Sequence, residues 1–222
     1  MSKTAIILGA TGLSGGLLTE LLMKDAAFSK IKLVSRRATG FEHPKVEDII
    51  CDVLQLDTIQ SEFTGDVVFC CIGTTKAKTP DRDLYYKIDY GIPTNAARLA
   101  KENGIPIFIV ISSAGTSTKS SLFYVRTKGE MERDVLSIGV DNTYIMKPAF
   151  INGRPDQDRK GEKALKKMMA ISDFLMVGPF KKYRSVMALD IAKAMAYLSA
   201  HPVAKNNIMN EEIKTLSGHY ES

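Results

Sequence analysis

Tyr124 and Lys128 stand four residues apart in the stretch YVRTK, a spacing that sets both side chains on one face of a helix. A phenol near its ordinary pKa of ~10 is a weak acid–base catalyst at neutral pH. A neighbouring ammonium favours the phenolate and brings the group into range, and the same lysine suits a grip on a ribose hydroxyl. No other tyrosine in the chain has a lysine four residues on. Ser112-Ser113 closes the apolar run that precedes this helix. One of its hydroxyls is placed to donate to a carbonyl oxygen; Ser113 is the first choice and Ser112 the alternative, one step of register apart. Tyr124, Lys128 and Ser113 together are the equipment for moving a proton to or from a carbonyl or alcohol oxygen.

A partner for such chemistry is suggested at the other end of the chain. The apolar run Thr4 to Leu8 breaks into GATGLSG, and a helical pattern follows through Leu17, Leu18, Leu21 and Leu22. Glycines between a strand and a helix allow a tight turn, a close approach of backbone to pyrophosphate, and close packing of helix on strand. The helix N-terminus then offers N–H groups and a positive dipole end to phosphate. Gly9, Thr11, Gly12, Leu13 and Gly15 are the expected phosphate-side residues of a dinucleotide cofactor.

The second strand indicates which dinucleotide. An NAD-preferring site carries an acid near the end of this strand to accept from the ribose 2′-OH. Residues 31–37, IKLVSRR, contain none. They end in Ser35, Arg36 and Arg37, and guanidinium groups pair with a 2′-phosphate through two N–H bonds. NADP(H) is the expected cofactor. Asp52, beside Val53, is either an acceptor for the adenine amino group or a loop and cap residue.

The elements that must position these residues alternate. Strands are expected at Thr4–Leu8, Ile31–Ser35, Val46–Ile50, Val67–Ile72, Ile105–Ile111 and Asn142–Met146. Helical stretches are expected at Leu56–Phe63, from Pro80–Asp83 onward with Pro93 interrupting or restarting the helix, at Thr94–Asn103 before Gly104, and at Leu122–Ile138 before Gly139. Strands in short alternation with helices give an α/β fold, a doubly wound parallel sheet in three αβα layers. Ligands of such sheets sit at the carboxyl ends of the strands. Gly9–Gly15, Ser35–Arg37, Cys51–Val53, Gly73–Thr75, Ser112–Ala114 and Pro148–Ile151 all fall there. The alternation fades after Asn152. A short basic helix at Gly161–Ala170, a strand at Ser185–Ala188, a helix at Asp190–Ala200 capped by Asp190, a strand at Asn207–Met209 and a final helical turn at Glu211–Leu216 complete the reading.

A chain of 222 residues fits one domain, with residues 152–187 and 201–222 expected to form a small substrate-side lobe. A net charge of +5 suits an anionic small ligand, and no basic run argues for nucleic acid. The three cysteines, Cys51, Cys70 and Cys71, do not form a disulfide framework. Buried free thiols, a first strand beginning by Thr4 and the lack of a membrane-length apolar run lead to the expectation of a cytoplasmic protein. His43, His201 and His219 have no spacing suited to a metal, and none is expected. Lys163, Lys166 and Lys167 read as a solvated face, the alternative being contact with an anionic substrate or a membrane surface. Arg154 and Lys160 are placed at the border of the cleft, and Met168, Met169 and Met176 read as a soft lining or core.

The glycine pattern, Ser113 and Tyr124-x-x-x-Lys128 resemble the short-chain dehydrogenase/reductase superfamily, in its atypical or extended branch. CIGTT at 71–75, Ser112-Ser113 with KSS at 119–121, Phe123-Tyr124 and KGE at 128–130 are similar to the Tat-interacting oxidoreductase-like NAD(P)-binding proteins. The resemblance covers most of the chain and thins after Asn152. It implies a Rossmann fold and NADP(H) along the strand ends. Asp52 and Val53 would lie at the adenine, Cys71, Ile72 and Gly73 at the ribose, and Pro148, Phe150 and Ile151 at the nicotinamide. Ser113, Tyr124 and Lys128 match the catalytic set. Asp89 stands where many relatives have asparagine, which puts a fourth catalytic residue in doubt. The short C-terminal region argues against a nucleotide-sugar substrate. The implied activity is NADPH-dependent hydride transfer to or from a small carbonyl or alcohol, the carbonyl compound being apolar. The alternatives are an NADP(H)-binding redox sensor that acts through a protein partner, and an epimerase or dehydratase that retains its NADP. Monomer and homodimer are both left open.

Overall fold

The computed structural model describes residues 2–153 and 185–220. Strands β1 (Lys3–Leu8), β2 (Phe28–Ser35), β3 (Val46–Ile50), β4 (Val67–Cys70), β5 (Ile107–Ile111) and β6 (Asn142–Lys147) form the main sheet with β9 (Asn207–Met209), in the order β3-β2-β1-β4-β5-β6-β9. Every neighbouring pair is parallel. Ala5–Leu8 and Val67–Cys70 are completely buried, the pattern of central parallel strands covered on both faces.

Period-two alternation divides the core. Ala5, Ile7, Val67, Phe69 and Ile109 pack with helix α1 (Leu13–Lys24) and helix α5 (Ala188–Ala200). Ile6, Leu8, Val68, Phe108 and Val110 pack with α3 (Ile92–Glu102) and α4 (Phe123–Ile138). Strand order reverses between β1 and β4, which places the ligand crevice of an open α/β sheet at their carboxyl ends. Gly9, at φ +89°, sits at that point. A Cβ there would stand 2.9 Å from the Cys71 carbonyl carbon, so glycine lets the two loops meet.

Residues 82–102 form one continuous helical run with an unusual centre. Asp81 caps α2 (Arg82–Tyr86) by accepting the Leu84 N–H at 2.7 Å. Lys87–Gly91 then makes a π turn, in which the Ile92 N–H reaches the Lys87 carbonyl. Pro93 has no N–H, and its ring would crowd the carbonyl four residues back, that of Asp89. The wider turn relieves this, and the run resumes as α3. Gly104, at φ +68°, lets the Ile105 N–H fold back onto the Ala100 carbonyl at 2.8 Å, ending α3. Gly139, at φ +73°, ends α4.

Three expectations are corrected. Residues 56–63 are a short 3-10 turn, Leu56–Ile59, and not a longer helix. Asn103 Nδ2 takes the Gln60 and Phe63 carbonyls, and Lys32 Nζ takes those of Glu62 and Thr64, so these carbonyls are unavailable for a helical ladder. The β4 run ends at Cys70, although the Cys71 N–H still bonds the Leu8 carbonyl. Helix α5 begins at Ala188, with Asp190 inside its first turn instead of capping it. An acid near a helix start is favoured by the dipole as well as by capping.

Strands β7 (Phe150–Asn152) and β8 (Ser185–Met187) pair as a separate two-stranded sheet beside the cleft. Residues 207–218 join the main sheet as β9 and its helical layer as α6 (Asn210–Gly218). The basic stretch Gly161–Ala170, Arg154, Lys160, Met168, Met169 and Met176 lie outside the described residues.

Candidate active site

The first helix opens with no side-chain cap on its N-cap, Gly12. Among the described residues its first-turn donors have no side-chain partner, and Gly12, Leu13 and Ser14 line the crevice. Gly15 is held by packing: a Cβ there would stand 2.2 Å from the Gly9 carbonyl oxygen. This glycine therefore seats the helix on the turn and does not itself line the crevice.

Two cavities open along the strand ends and share Gly12, Cys71, Ile72, Gly73, Thr74 and Lys78. They form one trough with two halves, of about 480 Å³ and about 510 Å³. One half is walled by Gly9, Thr11, Val34, Ser35, Arg36, Asp52 and Val53. Asp52 Oδ1 accepts the Leu54 N–H at 3.0 Å, so it serves as a turn residue and a wall residue together. The Ser35 hydroxyl donates to the Arg37 carbonyl at 2.5 Å. Arg36 is exposed on the wall, without an ion pair among the described residues; Arg37 is exposed outside it.

Leu13, Ser14, Asp89, Ser112, Tyr124, Lys128, Phe150 and Ile151 wall the other half. Tyr124 is 44% exposed, and its ring meets that of Tyr85 edge-on with centroids 6.3 Å apart. Burial, with Asp89 and Tyr124 nearby, pushes the Tyr85 hydroxyl well above the usual phenol range. Lys128, one turn along α4, has a side chain only 6% exposed, and its Nζ lies 2.8 Å from Oδ1 of the fully buried Asp89. The contact is ionic, off the line of a hydrogen bond. The other oxygen of Asp89 accepts the Thr74 N–H at 2.8 Å. The π turn carries this carboxylate into the cleft wall beside Gly73, where an added Cβ would make ordinary van der Waals contact with Asp89 Oδ1 at 3.6 Å and Lys128 Nζ at 3.7 Å.

The serines separate. Ser112 is 5% exposed, lines the cleft and donates its hydroxyl to Glu132 Oε1. Ser113 is half-buried next to it, off the cavity wall, with no bonded partner for its hydroxyl among the described residues. Pro148 is also off the wall; its carbonyl accepts the Ala114 N–H at 2.9 Å and ties the ends of β5 and β6 together. Thr74 and Thr75, in the strand-end segment Gly73–Thr75, line the trough, and so do Lys78, Asn152 and Gly153, which the sequence did not single out. Lys78 and Gly153 belong to loops, and Asn152 ends the short strand β7. Glu132 was missed too, although its position four residues after Lys128 puts it on the same helix face.

A trough of two halves around a glycine turn and an uncapped helix end fits an extended dinucleotide. A family model described as NAD(P)H-binding matches residues 9–202. Protein FMP52, mitochondrial, of Meyerozyma guilliermondii is 36% identical over 152 residues, covering 67% of this chain and 65% of that relative, slightly under two thirds of its length. Protein HTATIP2 of Rattus norvegicus is 33% identical over 165 residues, covering 72% of this chain and 68% of the relative. Among solved structures, the Bordetella bronchiseptica enzyme WbmH in complex with NAD+ superposes with a TM-score of 0.68 at 15% identity, over 92% of this chain and 73% of that one. At that identity the match concerns the fold alone. The expectation of a cytoplasmic protein is overturned, because the FMP52 relatives are named mitochondrial. Free buried thiols distinguish reducing from oxidising surroundings, and not one reducing compartment from another. Among the described residues no helix is long and apolar enough to cross a membrane.

Proposed function

This chain belongs to the NAD(P)H-binding family, and on that premise we propose that it is an NADPH-dependent oxidoreductase acting on a small carbonyl or alcohol. The observation that carries the proposal is the shared wall of Tyr124, Lys128 and Asp89 in the half of the trough that Leu13 and Ser14 border. Bound NADPH would supply the hydride at its nicotinamide. Tyr124 gives a proton to the carbonyl oxygen in reduction and takes it back in oxidation. Lys128, fixed by Asp89, keeps donors for a ribose hydroxyl and for the tyrosine oxygen. Of the two serines, Ser112 is the one on the wall beside Tyr124. Gly9, Thr11, Gly12 and Leu13 hold the phosphates, and Cys71, Ile72 and Gly73 border the ribose.

The preference for NADPH over NADH rests on Arg36, a guanidinium without an ion pair among the described residues on the wall of the other half, and on the absence of any acid in residues 31–37. Phe150 and Ile151, 59% and 38% exposed at the cleft, favour an apolar carbonyl compound. The test is Tyr124→Phe assayed over a panel of ketones and aldehydes with calorimetric NADPH binding. Turnover is expected to fall at least about 100-fold, with the NADPH dissociation constant within twofold of the parent. Undiminished turnover of every accepted substrate would refute the role of Tyr124.

A further inference from the structure

Behind the cleft wall lies a polar cluster that the proposed proton transfer does not use. Glu132, 8% exposed, accepts the Ser112 hydroxyl on Oε1 and the Thr116 hydroxyl on the same oxygen at 2.7 Å. Its other oxygen lies 2.7 Å from Lys147 Nζ, which also donates to Thr116 Oγ1 at 2.8 Å. Both side chains of this ion pair are about nine-tenths buried, 11% exposed for Glu132 and 12% for Lys147. Four residues from the loop after β5, from β6 and from α4 are thereby locked into one arrangement. Removing Glu132 would strip the Ser112 hydroxyl and the Lys147 ammonium of their carboxylate.

The arrangement fixes the polarity of Ser112. A serine hydroxyl has one hydrogen and two lone pairs. Here the hydrogen is committed to a carboxylate oxygen that accepts and cannot donate. What Ser112 has left is acceptor capacity. We infer that Glu132 and Lys147 set Ser112 as a fixed hydrogen-bond acceptor in the cleft, so the ligand group that reaches it carries an O–H or N–H donor. Glu132 is a positioning residue, acting through Ser112. The inference rests on the reading of this cleft as a dinucleotide and carbonyl site. The donor has two sources, a hydroxyl on the substrate carbon next to the carbonyl or the carboxamide N–H of the nicotinamide.

The test has two arms, read in the parent, Ser112→Ala and Glu132→Gln. In the substrate arm, kcat/KM is compared for hydroxyacetone, which offers a donor, and methoxyacetone, which offers only an acceptor. In the cofactor arm, calorimetry compares NADPH with its 3-acetylpyridine analogue, which lacks the carboxamide N–H. The parent is expected to prefer the donor-bearing member of one pair by about tenfold. Ser112→Ala leaves the Glu132, Lys147 and Thr116 bonds in place and should erase that preference. In Glu132→Gln, Lys147 retains the amide oxygen, so the amide NH2 turns towards Ser112 and frees its hydrogen. The preference should then shrink or reverse, a change that loss of structure alone does not produce. Which pair responds identifies the source. If both preferences in Ser112→Ala and Glu132→Gln stay within twofold of the parent, the inference is wrong. If the parent reduces neither ketone, the proposed activity on such carbonyls fails, and the cofactor arm still decides the polarity of Ser112.

Discussion

Replacing Asp89 by alanine tests the centre of the site. The carboxylate is fully buried and lies 2.8 Å from an ammonium whose side chain is 6% exposed. Removing one partner of a buried pair costs about 3–5 kcal/mol, because the other charge is stranded. Lys128 borders a cavity of about 480 Å³, where water can reach part of the stranded charge, which favours the lower end, about 3 kcal/mol. The Thr74 N–H also loses its acceptor, adding about 1 kcal/mol. A loss of about 4 kcal/mol corresponds to a fall in Tm of about 8–16 °C for a chain of this size. Urea denaturation at pH 7 with constant m reads the loss directly. Lys128→Met should cost a similar amount, while the double variant Asp89→Leu with Lys128→Met should recover most of it. A cost below about 1 kcal/mol for Asp89→Ala, or strict additivity of the two single effects, would refute the account of a coupled buried pair.

Three further outcomes are expected. Gly15→Ala pushes a methyl to 2.2 Å from the Gly9 carbonyl oxygen; the turn must move, with a loss of about 1–3 kcal/mol in urea and NADPH affinity lowered at least tenfold by calorimetry. Arg36→Ala should weaken NADPH about tenfold and leave NADH within twofold, the difference being one charge-assisted contact to the 2′-phosphate. Burial pushes the Cys70 thiol up to about 11, above its ordinary value near 9. The unfolded chain therefore loses this proton first as pH rises, and the contribution of Cys70 to stability, complete below pH 9, declines between about pH 9 and 11. Comparing urea midpoints of the parent and Cys70→Ala across that range should show the gap in favour of the parent closing.

Sequence made the site legible where chemistry demands fixed spacing. Tyr124 and Lys128 share a helix face because four residues make about one turn, and Gly9, Gly12 and Gly15 mark a turn that larger residues would obstruct. The parallel sheet was legible because buried strands such as VVFC carry no polar face. What escaped depends on partners distant along the chain. Lys32 and Asn103 capture the carbonyls of residues 60–64 and prevent the helix that local pattern suggested there. Lys78 lines the trough from a loop whose path no periodicity encodes. The two serines were separable only once Glu132 was seen to take the hydroxyl of Ser112, from 20 residues away.

The π turn at Lys87–Gly91 constrains how this helix can vary in length. It holds one residue more than a regular turn, and that surplus sets the angle at which Asp89 faces Lys128. Deleting any residue between 87 and 91 would restore a regular helix. It would also put Pro93 in a helix interior at a cost of about 3 kcal/mol and rotate the preceding face by about 100°. The carboxylate would leave the wall and the ammonium would lose its partner. Substitutions in this turn other than at Asp89 are thus far better tolerated than changes in its length, and the helix serves as a ruler for the cleft.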